Sequence, residues 1–312
     1  MKILHLLYES DGDYFGIGGV GVRAYKIYER LCDRHDITLL CKKYPGAIDG
    51  VKKGLGHIHV GKETENFTLT LLSYACAARR YVFEKGEAYD VIVEEFSPAV
   101  PTFLNTFRKR PVLLQVQGYT GLQYLLKYNP FYSVPLYLLE KARPYFYKNY
   151  VFVSEATKKR FRIRRNSTVK IIPNGVDLVE VKKSDLKNRY ILYLGRLDVH
   201  NKGLDILIEG FKKLVKNNNS VPNLVIAGDG RDRDRFYSLL KELPSVVSER
   251  IELAGWVEGE QKSFLLQNAE LLVMPSRYES HPIVAMEAAS SGIPIVASDI
   301  GELRFIGENR MG

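Results

Sequence analysis

Cysteine is scarce in this sequence of 312 residues: Cys32, Cys41 and Cys76 are the three present. An odd number without CxxC spacing argues against a disulfide framework and a zinc site, and makes a reducing cytoplasm the expected compartment. Long apolar runs are missing too, since none approaches the roughly 20 residues that span a bilayer. The opening MKILHLLYESDGD meets Glu9, Asp11 and Asp13 after one short apolar run, so it reads as a first strand and not as a secretory signal. Internal repeats and low-complexity segments are absent. What is there is ordinary globular composition, 46% hydrophobic and 26% charged. At roughly 100–200 residues per domain, the length predicts two domains.

The net charge of +9 is unevenly placed. Residues 1–172 hold 27 Lys and Arg against 16 Asp and Glu, a net +11, and residues 173–312 hold 18 against 20, a net −2. The densest basic run, Lys158 to Lys170 (KKRFRIRRNSTVK), follows Tyr145, Phe146, Tyr147 and Tyr150. Bases mixed with aromatics suit anionic lipid headgroups or nucleic acid, or else form a solvated helix face. The expectation carried forward is peripheral contact with an anionic membrane face and no nucleic-acid partner.

Strand-like and helix-like stretches alternate along the chain. KILHLLYE precedes VRAYKIYERLCDR, then come DITLLCK, VIVEEF, VLLQVQG, NYVFVSE and ATKKRFRI. The rhythm restarts after IIPNGVD with RYILYLGRL, GLDILIEGFKKLVK, PNLVIAGDG, RIELAGWV, QKSFLLQNA, ELLVMPS, PIVAMEAASSG and IPIVASD. Such alternation predicts parallel, doubly wound sheets. The polar stretch VDLVEVKKSDLKN between the two series marks a linker near residues 173–188, dividing the chain into domains 1–172 and 173–312. Open α/β sheets bind ligands beyond the carboxyl ends of their strands, so the chemistry belongs in the loops that follow strands.

Three such loops carry suitable residues. Gly16 to Gly21 (GIGGVG) matches GxGxxG, but seven residues separate it from the strand and the second strand ends in lysines, not in an acid for ribose; a dehydrogenase is therefore set aside. Glycines before a helix still let backbone N–H groups approach a diphosphate or sugar. In YLGRLDVHNKG, Arg196 ends a strand and Lys202 precedes a helix, a pair of cations suited to a leaving diphosphate or simply solvated in a turn. After ELLVMPS, Glu279 and Glu287 stand eight apart around Pro282, which is expected in the first helical turn. The N–H groups of Ile283 and Val284 would then open that helix and can bind phosphate. Glu279 would reach a sugar and Glu287 ribose hydroxyls, although Glu287 also fits a plain surface position.

Taken in order, GIGGVG, VSEATKKRF, IIPNGVD, YLGRLDVHNKGLDILIEGFKKL, LVIAGDG, ELAGWV and MPSRYESHPIVAMEAASSGIPIVASDIGE resemble glycosyltransferase family 4, whose E-x7-E arrangement appears as Glu279 and Glu287. The resemblance covers nearly all of the C-terminal half and the N-terminal half more sparsely. It implies the GT-B fold: α/β, two Rossmann-like doubly wound domains facing a cleft, here without the last C-terminal helices because the chain stops at IGENRMG. It further implies retaining, metal-independent transfer of a hexose from a UDP- or GDP-sugar to a glycan or lipid-linked acceptor. The donor would lie in the C-terminal domain and the acceptor in the N-terminal one, with no cofactor beyond the nucleotide-sugar substrate. By residue, Arg196 and Lys202 would stabilise the departing diphosphate, the largest contribution such a site can make. Glu279 would hold the hexose and Glu287 the ribose, with Trp256 and Val257 beside the base. Gly18 and Gly19 would close over phosphate and sugar, and Gly195, Gly228, Gly230, His281, Ile283 and Val284 would complete the donor site.

The chain departs from the family pattern in places. Gln117 stands where many relatives have a histidine after the VLLQV strand; it can hydrogen-bond a sugar hydroxyl but cannot act as acid or base, which transfer with retention tolerates. His281 replaces a common phenylalanine, as a phosphate donor or a packed ring, and the usual paired glycines after IVASD are reduced to Gly301-Glu302. Asp11-Gly12-Asp13 and Asp232-Arg233-Asp234 both read DxD, yet one sits in a glycine-rich loop and the other opens a helix where acids suit the dipole. His57 and His59 share a strand face without a third ligand. Two other functions fit the same fold: a nucleotide-sugar 2-epimerase, and a silent sugar-nucleotide or membrane-binding module.

Overall fold

The computed structural model describes residues 1–12, 17–122, 129–177, 190–218, 220–230 and 232–311. The chain divides into two compact units, Met1–Pro173 and Asn174–Gly312. Most of the expected linker, from 178 onward, and Asp13 and Gly16 of the first loop lie outside the described residues.

The first unit is built on strands β1 (Lys2–Leu6), β2 (Asp36–Lys42), β3 (Gly50–Lys52), β4 (Leu55–Val60), β5 (Val91–Glu95), β6 (Val112–Val116), β7 (Asn149–Phe152) and β8 (Thr168–Ile171). Their order is β3-β4-β2-β1-β5-β6-β7-β8, and every pairing is parallel except that of the short edge strand β3 with β4. Helices α1 (Gly19–Tyr28), α2 (Phe67–Lys85), α3 (Pro130–Ala142) and α4 (Glu155–Lys159) connect them. Strand β2 shows why both faces must be covered. Leu40 packs with Tyr74, Ala78 and Val82 of α2, whereas Ile37, Leu39 and Cys41 pack with Ala24, Tyr25 and Tyr28 of α1. Alternate side chains of one strand thus enter two cores, the arrangement of a parallel sheet wrapped on both sides.

The second unit repeats the plan with β9 (Tyr190–Leu194), β10 (Leu224–Ala227), β11 (Ile251–Gly255), β12 (Ala269–Met274) and β13 (Ile295–Ala297), all parallel in the order β11-β10-β9-β12-β13. Helices α5 (Leu204–Asn217), α6 (Arg233–Lys241), α7 (Ser245–Ser248), α8 (Gly259–Asn268), α9 (Ile283–Ser290) and α10 (Arg304–Glu308) flank it. Ile191 and Tyr193 face the α5 core, and Leu192 faces the α9 core. The strand order reverses between β1 and β5 in the first unit and between β9 and β12 in the second. Those reversals open crevices at the strand ends. No helix among the described residues is long and apolar enough to cross a membrane.

Candidate functional site

In the second unit the crevice is formed by the loops after β9 and β12, which are joined backbone to backbone. The N–H groups of Arg277 and Tyr278 both donate to the Asn201 carbonyl, at 2.9 and 3.2 Å. Gly203 (φ +64°) lies so close to Pro275 that an added Cβ would run into the Pro275 carbonyl oxygen. Left-handed backbone without a side chain is what permits this approach. A two-armed ion pair fastens the same loops, Arg277 Nη1 and Nη2 each lying 2.7 Å from an oxygen of Asp205 at the start of α5. The Arg277 hydrogen bonds hold the Asp205 carboxyl below its ordinary pKa.

This scaffold brings Lys202 and Glu279 together: Lys202 Nζ is 2.5 Å from Glu279 Oε1, and Ser276 Oγ donates to the same oxygen at 2.8 Å. Glu279 is 6% exposed. Beneath it Tyr193 is buried, which raises its phenol pKa, and the Glu279 charge raises it further. Arg196 is exposed at the start of the loop after β9, its carbonyl accepting from Tyr193 Oη at 2.8 Å. Helix α9 starts at Ile283, with Pro282 at the N-cap and not inside the first turn as expected, and Ile283 and Val284 are its first two residues. Glu287 projects from the same helix to Lys262 of α8, Nζ to Oε1 2.6 Å.

His281 is a packed ring, stacked on Phe305 with centroids 4.8 Å apart, and its carbonyl accepts from Asn174 Nδ2 at 2.7 Å. Trp256 is exposed after β11 and Val257 is buried in the α9 core. Gly228 and Gly230 have a packing reason to be glycine: a Cβ on Gly228 (φ +143°) would strike the Gly195 carbonyl, and one on Gly230 would lie 2.7 Å from the Leu197 carbonyl, whereas one on Gly195 would lie 3.2 Å from the Tyr193 hydroxyl. Asp232 of the second DxD accepts from the Val199 N–H at 3.0 Å. Among the described residues no three His, Cys, Asp or Glu side chains gather as a metal site.

The crevice of the first unit is lined by Glu9, Glu95 and Gln117. Gln117 Nε2 donates to Glu95 Oε1 at 3.0 Å, Gln115 donates to the same oxygen, and His5 Nε2 is 3.3 Å away. The N–H groups of Gly18 and Gly21 are already engaged, both donating to Glu9 Oε2 at 2.9 and 2.8 Å. An acidic group does meet this helix start, but it is the chain's own carboxyl, that of Glu9. Burial raises the Glu9 pKa, and these two hydrogen bonds partly oppose the rise. Around Gly19 an added Cβ would meet nothing within 4 Å. Ser276, Lys262, Asn174, Asp205, Glu9 and Glu95 were not foreseen, because each is recognised only through a partner distant in sequence.

A family model described as Glycosyltransferase Family 4 matches residues 17–180, just over half the chain, and one described as Glycosyl transferases group 1 matches residues 177–309. The chain belongs to glycosyltransferase family 4. An uncharacterized glycosyltransferase of Methanocaldococcus jannaschii is 37% identical over 118 residues, which are 38% of this chain and 29% of that protein. An alpha-D-kanosaminyltransferase of Streptomyces kanamyceticus is 30% identical over 39% of this chain and 32% of its own length. The match thus spans about a third of the curated relatives. Among solved structures, sucrose-phosphate synthase from Thermosynechococcus elongatus superposes with a TM-score of 0.75 at 20% identity, covering 97% of this chain and 82% of that one. The fold of this family 4 chain is accordingly GT-B.

Proposed function

We propose that this chain transfers a hexose, with retention, from a UDP- or GDP-sugar to a glycan or lipid-linked acceptor, without a metal cofactor. The observation that carries the reading is the Lys202–Glu279 pair at the strand-order reversal of the second unit, directly ahead of α9. An ammonium held 2.5 Å from a carboxylate is a cation kept in place for a stronger anion. When a diphosphate enters, Lys202 turns to it together with Arg196 and the first N–H groups of α9, and Glu279 is released to accept a hydroxyl of the hexose. As the bond from the sugar C1 to the phosphate oxygen breaks, these donors take up the growing charge. The acceptor oxygen bonds to C1 on the face the diphosphate leaves, and its proton passes to the departing phosphate oxygen. Gln117 serves as a hydroxyl partner and not as a base. Glu287, paired with Lys262, is assigned the ribose, and Trp256 and Val257 the base. A structure of Anabaena HepE determined with UDP and glucose shares the fold at a TM-score of 0.72, which supports a uridine nucleotide as the first ligand to test.

Thermal unfolding with UDP and GDP, with and without EDTA, tests this. One of the two nucleotides at a hundred times its dissociation constant should add about 2.7 kcal/mol of stability. The shift should be the same in EDTA. A shift that EDTA abolishes would refute the metal-free assignment, and no shift with either nucleotide would refute the donor site.

A further inference from the structure

Helix α3 (Pro130–Ala142) is turned inside out. Its buried residues are Ser133 and Glu140, seven positions apart and therefore on one face. The Glu140 carboxylate accepts from the N–H groups of Thr120 and Gly121 at 2.7 and 2.6 Å and fastens the helix to the loop after β6. The opposite face carries Phe131, Val134, Pro135, Leu138 and Ala142, all exposed. Phe131 is 87% exposed, Leu138 57%, and Tyr132 on the flank 65%. An ordinary surface helix buries its apolar stripe and shows its polar one. A continuous apolar stripe left bare marks an interaction site.

The border of the stripe states what covers it. Residues 129–170 contain ten Lys and Arg and two Glu, and one of those, Glu140, is buried. Lys141, in the last turn of α3, stands 4.8 Å above the Tyr119 ring, and Arg160 stands 5.9 Å from it. Arg162 and Arg164 each lie 5.2 Å from the Tyr145 ring, directly after α3, and Arg164 lies 5.9 Å from Phe146. Cations held over aromatic faces beside an apolar stripe complement a surface that is anionic outside and hydrocarbon just beneath. Nucleic acid would leave Phe131, Val134 and Leu138 without a partner. Pro135 adds a constraint of depth. It has no N–H to give the Phe131 carbonyl, and since it faces outward this carbonyl needs water or a headgroup.

We propose that α3 is a membrane-docking element. It lies along the headgroup boundary of an anionic bilayer with Phe131 and Leu138 among the acyl chains and Arg160, Arg162 and Arg164 on lipid phosphates. The helix is about 20 Å long, enough to lie in that plane and too short to span it. The inference rests on the proposed transfer reaction only in narrowing the acceptor class to a lipid-borne one.

The test is sedimentation of the full chain with phosphatidylcholine vesicles, with and without phosphatidylglycerol, at low and high salt. Wild type should sediment with the phosphatidylglycerol vesicles and less so in high salt. F131S/L138S should weaken binding about tenfold or more at either salt concentration, because two side chains lose their apolar burial. R162Q/R164Q should weaken it mainly at low salt and flatten the salt dependence. Melting temperature should not change in either variant, since the altered side chains are exposed. Wild-type binding by F131S/L138S, or equal binding to phosphatidylcholine alone, would overturn the proposal. So would a wild-type dimer in sedimentation velocity that F131S/L138S dissolves, which would make a second copy the occupant. Vesicle binding that persists while UDP and GDP give no thermal shift would leave α3 as a docking element and refute the donor reading alone.

Discussion

Lys202 and Glu279 meet where the carboxylate has little access to water, so removing either partner strands the other charge. Their effects should therefore not add. K202A should lower turnover about 100- to 1,000-fold through lost stabilisation of the leaving group. In a double-mutant cycle with E279Q, the coupling should be about 0.5–3 kcal/mol, read both from kcat and from urea unfolding. Additive effects in both measurements would mean that the pair does not act as a unit. At this scale the sequence singles out Glu279, Glu287, Arg196 and Lys202 through an ordered motif, and the structure brings Lys202 and Glu279 together. It was silent on which groups hold them. Lys262 is 25 positions from Glu287, and Gln117 is 22 from Glu95, with no periodic relation to suggest either contact. The glycines carry a reason that no motif displays: the missing side chain of Gly228, expected in the donor site, makes room for the Gly195 carbonyl.

Loops and strands carry the next pair of predictions. Because Gly203 is left-handed and pressed on Pro275, G203A has to distort the backbone that carries Lys202. Urea unfolding should show a loss of about 1–3 kcal/mol or more, and the Lys202 variants should lose their further effect on turnover. His57 on β4 answers to pH. Burial lowers its pKa from 6.5, and its Nε2 lies 2.9 Å from Tyr25 Oη, which also accepts from the Asp11 N–H. Below pH 6.5 the unfolded chain binds a proton that the folded one refuses, so this part of the stability is complete above 6.5 and declines as pH falls towards the depressed folded value. The slope should reach at most about 1.4 kcal/mol per pH unit, and H57Q should flatten it. Element type was legible from hydrophobic alternation, because strands buried on both faces read as apolar runs between helix-like stretches. The facing of α3 was not. Residues 130–142 are not among the helix-like stretches of the sequence, and the Glu140 contacts with Thr120 and Gly121 reveal which side of the helix is inward.

At the scale of the molecule, each unit has its own sheet and its own pair of cores. Calorimetry should resolve two transitions, and the nucleotide that binds should move only the one belonging to residues 174–312. A single transition that shifts as a whole would show the units to unfold together. The division into two α/β units followed from the restart of the strand–helix rhythm, while the strand order, which sets where each crevice opens, is a long-range property that no local pattern encodes. That order also bears on how the chain is made. Strand β1 is central in its sheet and precedes both of its partner strands in the chain, yet Ile3 pairs with Val91 and Leu6 with Glu94. At about 5–20 residues per second, a ribosome leaves one edge of KILHL unpaired for roughly 5–20 seconds. Through that interval the apolar strand is a template for wrong partners. Slowing translation before residue 95 should therefore make the nascent chain more dependent on chaperones, whereas a pause after it should be harmless to the first unit's centre.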